Sequence, residues 1–407
     1  MYIKRTIEEQ IVKYAKHFPI IMLCGPRQVG KTTIYNHLRE QMNTEINYVT
    51  LDYPLLRDIA RTDPELFLQQ YQPPLIIDEI QYAPELLPYI KIRVDKSNTN
   101  GMYYLTGSQM FHMMKNVSES LAGRVGILSL YPFSNSEISG FDELPFLPTK
   151  DRLKMLPLST TVSDVFEKIY RGSMPKMITD IELTPEEFYS SYMQTYLERD
   201  IRDLISIKDE SKFLKFIACV AARTGQELVY NDLAKDTEVD AKTANSWLSI
   251  LVSSGIIYLL QPYYKNTIKR IIKRPKLYFM DTGLACYLSL WNNPRSLELS
   301  AMAGAMFETY VVSEIIKSYS NNGKEPRNRL YFYRDNNNRE IDLLIIENNH
   351  VYPVEIKKSA NPGIAAIKHF SVLNSIGLEI GDGGVICMSP LVIPIDDKNR
   401  FIPISCI

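Results

Sequence analysis

Short apolar runs alternate with helically spaced apolar positions between residues 20 and 130. The runs are too short for buried helices and are bounded by turn residues, so they predict strands. These strands are Ile20–Cys24, Tyr48–Leu51, Leu75–Ile77, Met102–Leu105 and Val125–Leu130. Helical stretches such as Lys31–Gln41 and Pro84–Asp95 lie between them. This alternation predicts βαβ units around a parallel sheet.

The pattern changes to helical spacing from about Thr161 to Ile207, and residues 211–290 then resemble a small separate module. Two helices are predicted there, Leu228–Lys235 and Ala241–Ser253, and Asp240 is a suitable N-cap for the second. A pair of strands with a basic connection follows. We interpret this module as a helix-turn-helix with a wing, and residues 291–300 as a linker.

The last hundred residues again combine strands with helices. A helix is predicted at Met306–Lys317, and a second helix follows the last of the three strands Leu330–Arg334, Glu340–Glu347 and Val351–Lys357. A further strand is expected at Val385–Cys387. The sequence thus predicts a multidomain α/β protein. Its expected domains are an α/β core (1–160), a helical segment (161–210), the helix-turn-helix module with a wing (211–290) and a C-terminal α/β domain (300–407).

Composition excludes several classes of protein. Apolar residues make up 45% of the chain and charged residues 23%, with a formal net charge of −1, so the chain is globular and is no polycation. The first residues lack the apolar core of a signal peptide, and no apolar run is long enough to span a membrane. Five scattered cysteines without a CxxC pair exclude a zinc site and favour the cytoplasm.

The clearest motif is GPRQVGKT, which follows a predicted strand and precedes a predicted helix. It fits the G-x-x-x-x-G-K-[ST] pattern, whose glycines allow a turn with backbone N–H groups directed at phosphate oxygens. Lys31 can reach the β- and γ-phosphates, and Thr32 can ligate Mg²⁺. The predicted nucleotide-binding residues are Gly25, Pro26, Arg27, Gln28, Val29, Gly30, Lys31, Thr32 and Thr33. A plain glycine-rich turn is the alternative.

Two later strands carry polar residues at their ends. PPLIIDEIQ places Asp78 for the Mg²⁺ shell and Glu79 as the general base, although two solvated acids at a strand edge are the alternative. In YYLTGS, either Thr106 or Ser108 can orient the attacking water. No guanine-reading motif follows, which favours ATP over GTP.

Two arginines are candidates for stabilising the transition state. Arg124 lies in the segment LAGR, and Arg199 lies in YLERD. A surface or structural ion pair is an equally good interpretation of each.

GPRQVGKTT, IIDEIQ, LTGSQ, SLAGRV, LYPFS and YLERDI together resemble the bacterial and archaeal AAA-type ATPases that carry the domain of unknown function DUF4143. The resemblance covers nearly the whole chain. It implies an AAA-like core, a winged-helix module and a C-terminal domain similar to restriction endonucleases. It implies little about the biological role.

The C-terminal segment contains the residue types of a PD-(D/E)xK nuclease. Asp342 lies early in one strand, and Glu355 and Lys357 lie on one face of the next, since side chains alternate along a strand. Asp342 and Glu355 are expected to hold a metal ion, Glu308 to complete its shell, and Lys357 to stabilise charge. Exposed hairpin charges, or a nuclease fold that is an inactive scaffold, are the alternatives.

The segment KNTIKRIIKRPK, residues 265–276, concentrates positive charge. We expect a β hairpin with one basic face formed by Lys265, Lys269, Arg270, Lys273, Arg274 and Lys276. Contact with DNA or RNA phosphates is one interpretation, and a solvated edge hairpin is the other.

Together these motifs predict a magnesium-dependent ATPase that acts as a switch or motor on a nucleic-acid-handling, possibly nuclease, C-terminal domain. The alternative is a regulatory ATPase whose winged-helix and inactive nuclease-like domains bind protein partners. A homo-oligomer is compatible with either.

Overall fold

A parallel sheet forms the first part of the chain. The computed structural model describes residues 2–41, 45–107, 120–153, 161–196, 210–264 and 273–407. Within them, the sheet has the order β2-β3-β4-β1-β5. Its strands are β1 (Ile20–Cys24), β2 (Asn47–Thr50), β3 (Leu75–Asp78), β4 (Tyr103–Gly107) and β5 (Val125–Ser129). The predicted parallel sheet is confirmed.

Helices cover both faces of this sheet. They are α1 (Ile7–Ala15), α2 (Lys31–Gln41), α3 (Pro54–Thr62), α4 (Pro64–Gln70), α5 (Leu86–Ser97) and α6 (Asn135–Ser139). Alternate residues of β1 enter two different cores, with Ile21 and Leu23 in one and Ile20 and Met22 in the other. Burial on both faces explains why β1 is a continuous apolar run.

The middle of the chain is mostly helical. Its helices are α7 (Val162–Arg171), α8 (Pro175–Thr179), α9 (Pro185–Tyr196), α10 (Glu210–Ala221), α11 (Tyr230–Asp236), α12 (Ala241–Ser253), α13 (Thr282–Leu288) and α14 (Pro294–Glu298). Three short strands, β6 (Gln226–Glu227), β7 (Ile257–Leu260) and β8 (Lys276–Phe279), form an antiparallel sheet with β8 in the centre. Asp240 caps α12 by accepting a hydrogen bond from the Thr243 backbone.

Residues 291–300, which we expected to be a linker, contain α14. Asn293 caps this helix by accepting from the Ser296 backbone, and Leu297 is fully buried. The helix packs against α7. The linker prediction is therefore wrong, because Leu297 in this largely polar stretch is buried by packing against a helix that is distant in sequence.

The C-terminal domain is a mixed sheet preceded by the long helix α15 (Ala303–Asn321). The strands are β9 (Leu330–Arg334), β10 (Glu340–Glu347), β11 (His350–Ile356), β12 (Glu379–Ile380), β13 (Gly383–Cys387), β14 (Ile393–Pro394) and β15 (Asn399–Pro403). Their order is β14-β15-β13-β11-β10-β9, and β12 pairs with β11. The multidomain α/β class is as predicted. The helix expected after β11 is instead two 3-10 segments, Ile364–Ile367 and Phe370–Ser375. Further 3-10 turns are Ile80–Tyr82, Pro326–Asn328 and Ile404–Cys406.

Helix α15 is buried along almost its whole length, from Ala303 to Asn321. It packs against α1, α7, α13, β5, β8 and β11. It therefore contacts every part of the chain described above. Among the described residues, no helix combines the length and apolar character needed to cross a membrane.

Candidate functional site

The turn after β1 has the backbone geometry of a phosphate-binding loop. Gly25 has φ 150°, and a Cβ atom there would lie 2.1 Å from the carbonyl oxygen of Leu130, so only glycine fits. Gly30 has φ 96° and Gln28 has φ 61°. Helix α2 begins directly afterwards at Lys31, so the loop lies against a helix N-terminus.

The Lys31 side chain is buried and lies over this loop. Its Nζ donates to the carbonyl oxygens of Gly25 at 2.9 Å and Pro26 at 2.8 Å. The ammonium is thus held close to the backbone N–H groups that follow Gly25. This position suits a cation that binds phosphate.

Asp78, at the end of β3, accepts hydrogen bonds from three hydroxyl groups. Thr32 Oγ1 lies 2.9 Å from Oδ1, Thr106 Oγ1 lies 2.5 Å from Oδ1, and Tyr48 Oη lies 3.2 Å from Oδ2. Strand β4 lies between β1 and β3, so Thr106 stands between the loop and Asp78. Burial raises the pKa of Asp78, and the hydrogen bonds from Thr106 and Thr32 oppose that rise.

Glu79 adopts a left-handed backbone conformation, with φ 58° and ψ 48°. Its backbone N–H donates to Thr106 Oγ1 at 2.9 Å, and Gln81 donates to its carboxylate. A non-glycine residue in this region carries strain that its surroundings must maintain. The hydrogen bonds to Thr106 and from Gln81 maintain this conformation of Glu79 at the carboxyl end of the sheet.

Arg5 supports the loop from behind, which the sequence analysis did not anticipate. Its guanidinium donates to the carbonyl oxygens of Val29 at 3.0 Å and Tyr131 at 2.7 Å. Its Nε lies 3.0 Å from the Glu137 carboxylate, and both side chains are buried. Arg5 and Tyr48 belong to no local motif, so their roles depend on tertiary contacts alone.

The structure does not bring Arg124 to the loop. Arg124 directly precedes β5, and β5 runs parallel to β1 with Val125 opposite Ile20, so Arg124 lies at the far end of the strands from Gly25. Its guanidinium is paired with Asp95. Ser108 and Arg199 lie outside the described residues.

A second polar cluster lies in the C-terminal domain, where β10 and β11 are antiparallel neighbours. Asp342 Oδ2 accepts from the Ile356 backbone at 2.9 Å. Lys357 Nζ lies 2.6 Å from Glu355 Oε1 and 3.5 Å from Asp342 Oδ2. Asp342, Glu355 and Lys357 are thus adjacent.

Glu308, on α15, joins this cluster through residues of β8. Lys276 Nζ lies 3.0 Å from Glu308 Oε1, 2.6 Å from Glu340 Oε1 and 3.7 Å from Asp342 Oδ1. Tyr278 Oη donates to Glu308 Oε1 at 2.6 Å. The side chain of Lys276 is only 5% exposed, so it does not belong to the exposed basic face predicted for residues 265–276.

Burial and mutual repulsion change the acidity of this cluster. Burial, followed by the charge of Asp342, raises the pKa of Glu308 to about 7 and that of Glu355 to about 8. Burial alone would lower the pKa of Lys276, but the surrounding Tyr278, Glu308, Asp342 and Glu340 groups raise it well above its usual range. Lys276 therefore remains charged at neutral pH.

The cluster does not fit a divalent metal ion in this arrangement. Lys276 and Lys357 lie on both sides of Asp342, with their ammonium groups 3.7 and 3.5 Å from its two carboxylate oxygens, and these positive charges would repel a metal ion. Across the segments that the structure describes, no group of three or more His, Cys, Asp or Glu side chains is arranged to hold a metal. Glu308, Asp342 and Glu355 are gathered as predicted, but around lysines.

A basic cleft of about 460 Å³ borders the β9–β10 hairpin. Lys273, Arg274 and Arg334 line it, together with Glu227 and Asp335. Arg334 pairs with Glu227 at 3.0 Å. Lys265, Lys269 and Arg270 fall outside the described residues, so the cleft shows one end of the predicted basic segment.

Buried contacts of α15 join the two polar sites. Lys317 Nζ donates to the Phe133 carbonyl oxygen and to Ser173 Oγ, each at 3.0 Å, and lies 2.6 Å from Glu314 Oε1. Glu314 Oε2 accepts from the Asn135 backbone at 2.7 Å.

Helix α6, which contains Asn135, also carries Glu137, which pairs with Arg5 beneath the loop. The same α15 carries Glu308 into the C-terminal cluster.

Comparison with known protein families shows which families the parts of this chain match. Residues 17–139 match the AAA domain family, and residues 303–407 match the domain of unknown function DUF4143. The chain carries an AAA domain and a C-terminal DUF4143 domain. The resemblance given by the motifs is confirmed. Residues 162–295, between the AAA and DUF4143 domains, match a separate domain of unknown function, DUF8612.

Relatives of known sequence do not add a function. An uncharacterized protein of Mycobacterium tuberculosis is 27% identical over 368 residues, which cover 90% of this chain and 76% of that protein. An uncharacterized protein of Mycobacterium bovis matches to the same extent.

Among solved structures, a Walker-type ATPase of Pyrococcus abyssi is 14% identical with a TM-score of 0.46, covering 70% of this chain and 95% of that one. The RuvB Holliday junction branch migration motor of Thermotoga maritima is 18% identical with a TM-score of 0.30, covering 62% and 88%. AMPPCP-bound DnaA of Aquifex aeolicus is 12% identical with a TM-score of 0.30, covering 60% and 84%.

Proposed function

We propose that the AAA domain binds ATP with Mg²⁺ and hydrolyses it. The observation that carries this proposal is the Asp78 carboxylate, which lies within hydrogen-bonding distance of both Thr32 and Thr106 beside a glycine loop. Thr32 and Asp78 supply the hard oxygen ligands that Mg²⁺ prefers, so they would hold the ion. When bound, Mg²⁺ would neutralise negative charge on the phosphates.

The residues of the chain divide the remaining work. The backbone N–H groups of residues 27–33 bind phosphate oxygens, and Lys31 moves its ammonium from the loop carbonyls to the β- and γ-phosphates. Glu79 accepts the proton of the attacking water as general base. Either Thr106 or Ser108, on the segment that follows, orients that water. The hydrogen bond from Gln81 holds the Glu79 carboxylate in position.

The test separates nucleotide binding from hydrolysis. We expect Lys31→Ala to lose binding of a fluorescent ATP analogue, because the loop loses its phosphate cation. Glu79→Gln should bind the analogue normally and hydrolyse ATP at least about a hundredfold more slowly, which is the usual contribution of a general base. Phosphate release and analogue titration measure the two steps.

The exposed Glu85→Gln, six residues along, is a matched control that should retain the wild-type rate. Wild-type turnover by Glu79→Gln would show that another group is the base.

We further propose that the nucleotide state is transmitted through α15 to the C-terminal domain, so that the chain is a switch. The support is the buried chain of contacts from Val29 through Arg5, Glu137 and Asn135 to Glu314. The winged-helix interpretation of residues 211–290 is supported by the order of α10, β6, α11, α12, β7 and β8. Contact of its basic segment with nucleic acid is supported by the cleft beside Lys273 and Arg274.

A further inference from the structure

The DUF4143 carboxylate cluster receives its central cation from outside the domain. Glu308, Glu340 and Asp342 belong to residues 303–407, whereas Lys276 lies on β8, within residues 162–295. Its Nζ reaches all three acids, at 3.0, 2.6 and 3.7 Å. Tyr278, two residues further on the same face of β8, bonds to Glu308.

Lys276 is held in place by its backbone and by its surroundings. It pairs with Leu260 of β7 on one side and with Glu227 of β6 on the other, since β8 is the central strand. Its ammonium lies 5.6 Å from the ring centre of Phe332. The position of the side chain among the acids is thus set by the position of this small sheet relative to the C-terminal domain.

An ammonium and a divalent cation compete for the same oxygens. A bound metal needs several carboxylate oxygens at about 2.0–2.6 Å, and a lysine ammonium bonded to those oxygens both fills the space and repels the ion. Asp342 has one oxygen directed at Lys276 and the other at the Ile356 backbone and Lys357. Lys276 thus places a positive charge beside Oδ1, and Oδ2 is bonded to the Ile356 backbone, so a divalent ion bound to Asp342 would be repelled.

We propose that Lys276 is a built-in cation that takes the place of a divalent metal ion and ties β8 to the DUF4143 domain. While β8 holds Lys276 against these carboxylates, the nuclease-like cluster binds no divalent ion. It then serves as a structural contact between the two domains. This proposal is independent of ATP hydrolysis, because it concerns a cluster remote from the nucleotide loop.

The experiment is a Mn²⁺ titration of the full chain without nucleotide, followed by electron paramagnetic resonance. Wild-type protein should show no Mn²⁺ site that depends on Asp342. Lys276→Met, which keeps the length of the side chain, should gain one such site with a dissociation constant below about 1 mM, and adding Asp342→Asn should remove it. Lys273→Met, which removes a neighbouring charge that does not contact the cluster, is the control and should resemble wild type.

Lys276→Gln, which retains a hydrogen-bond donor, replaces Lys276→Met if the methionine variant does not fold. A folded variant that gains no Asp342-dependent site would overturn the proposal, because the lysine would not be what excludes the metal. A site in wild-type protein that disappears in Asp342→Asn would overturn it as well, whatever the lysine variants do.

Discussion

Glu143 is a carboxyl group that the fold buries between the AAA domain and α15. Asn321 donates to its Oε2 at 2.8 Å, and Asn322 donates to its backbone carbonyl oxygen at 3.1 Å. Burial, followed by the charge of Glu137, raises the pKa of Glu143 from 4.5 to about 8. Its folded form therefore retains a proton that the unfolded form loses.

This acidity predicts a pH-dependent stability. Because the folded pKa lies above the unfolded value, the contribution of Glu143 is complete below about pH 4.5 and is lost as the pH rises towards 8. Glu143→Gln should remove this loss while its amide oxygen still accepts from Asn321. Between pH 5 and 8, the free energy of unfolding of Glu143→Gln should rise relative to that of wild type by at most about 1.4 kcal/mol per pH unit. Its melting temperature should rise relative to wild type over the same range.

Melting curves at several pH values check this prediction. The exposed Glu182→Gln should show the same pH dependence as wild type. A difference between Glu143→Gln and wild type that stays constant with pH would mean that Glu143 does not titrate in this range.

At the scale of elements, α15 depends on an ion pair that is almost fully buried. The side chains of Glu314 and Lys317 are 3% and 2% exposed and bind Asn135, Phe133 and Ser173 of the preceding domains. A buried pair contributes little relative to apolar residues, but removing one partner leaves an uncompensated charge.

Lys317→Met should therefore destabilise the protein by about 3–5 kcal/mol, and Glu314→Gln/Lys317→Met by less than that. Thermal unfolding of the two variants measures the difference. A double variant that is as unstable as Lys317→Met, or less stable, would mean that the two charges do not compensate each other. The exposed pair Lys215 and Glu238, changed in the same way, should lose at most about 1 kcal/mol.

Elements with a strong local pattern could be predicted with their boundaries. Lys31–Gln41, Ala241–Ser253 and Glu340–Glu347 begin and end where the sequence indicates, because caps, turn glycines and apolar spacing are local signals. Helix α14 was missed because its formation depends on the burial of Leu297 against a distant helix. The 3-10 segments after β11 likewise lack a continuous apolar stripe.

The candidate sites show the same difference between residues with local sequence signals and residues whose roles depend on distant contacts. The glycine loop, Asp78 and Glu79 are encoded in short motifs, and the structure places them together. Arg5 acts on the loop from 24 residues away. Lys276 reads in sequence as one more cation of a basic segment, yet it is buried among carboxylates. Contacts between distant residues are invisible to spacing arguments, which is why these two roles required the structure.

At the scale of the whole molecule, the small net charge of −1 means that any binding of nucleic acid must depend on a local basic patch. The best such patch is the segment that ends with Lys273 and Arg274 at the basic cleft. Its other cations, including Lys269 and Arg270, lie outside the described residues. Lys276 has to be excluded from the patch, because it serves the carboxylate cluster.

Changing Lys269, Arg270, Lys273 and Arg274 together to glutamine should therefore weaken binding of DNA or RNA. Each lost phosphate contact releases one fewer counterion, so the slope of log K against log salt should become shallower by up to about 3.6. Fluorescence anisotropy at several salt concentrations measures both quantities.

The control is a variant in which four exposed lysines, Lys13, Lys16, Lys96 and Lys368, are changed to glutamine, since it loses the same amount of charge. Equal weakening in that control would mean that only net charge matters. If the wild-type chain shows no salt-dependent binding at all, the result would favour the regulatory alternative, in which residues 211–290 and the DUF4143 domain bind protein partners and Lys276 stabilises the scaffold that presents them.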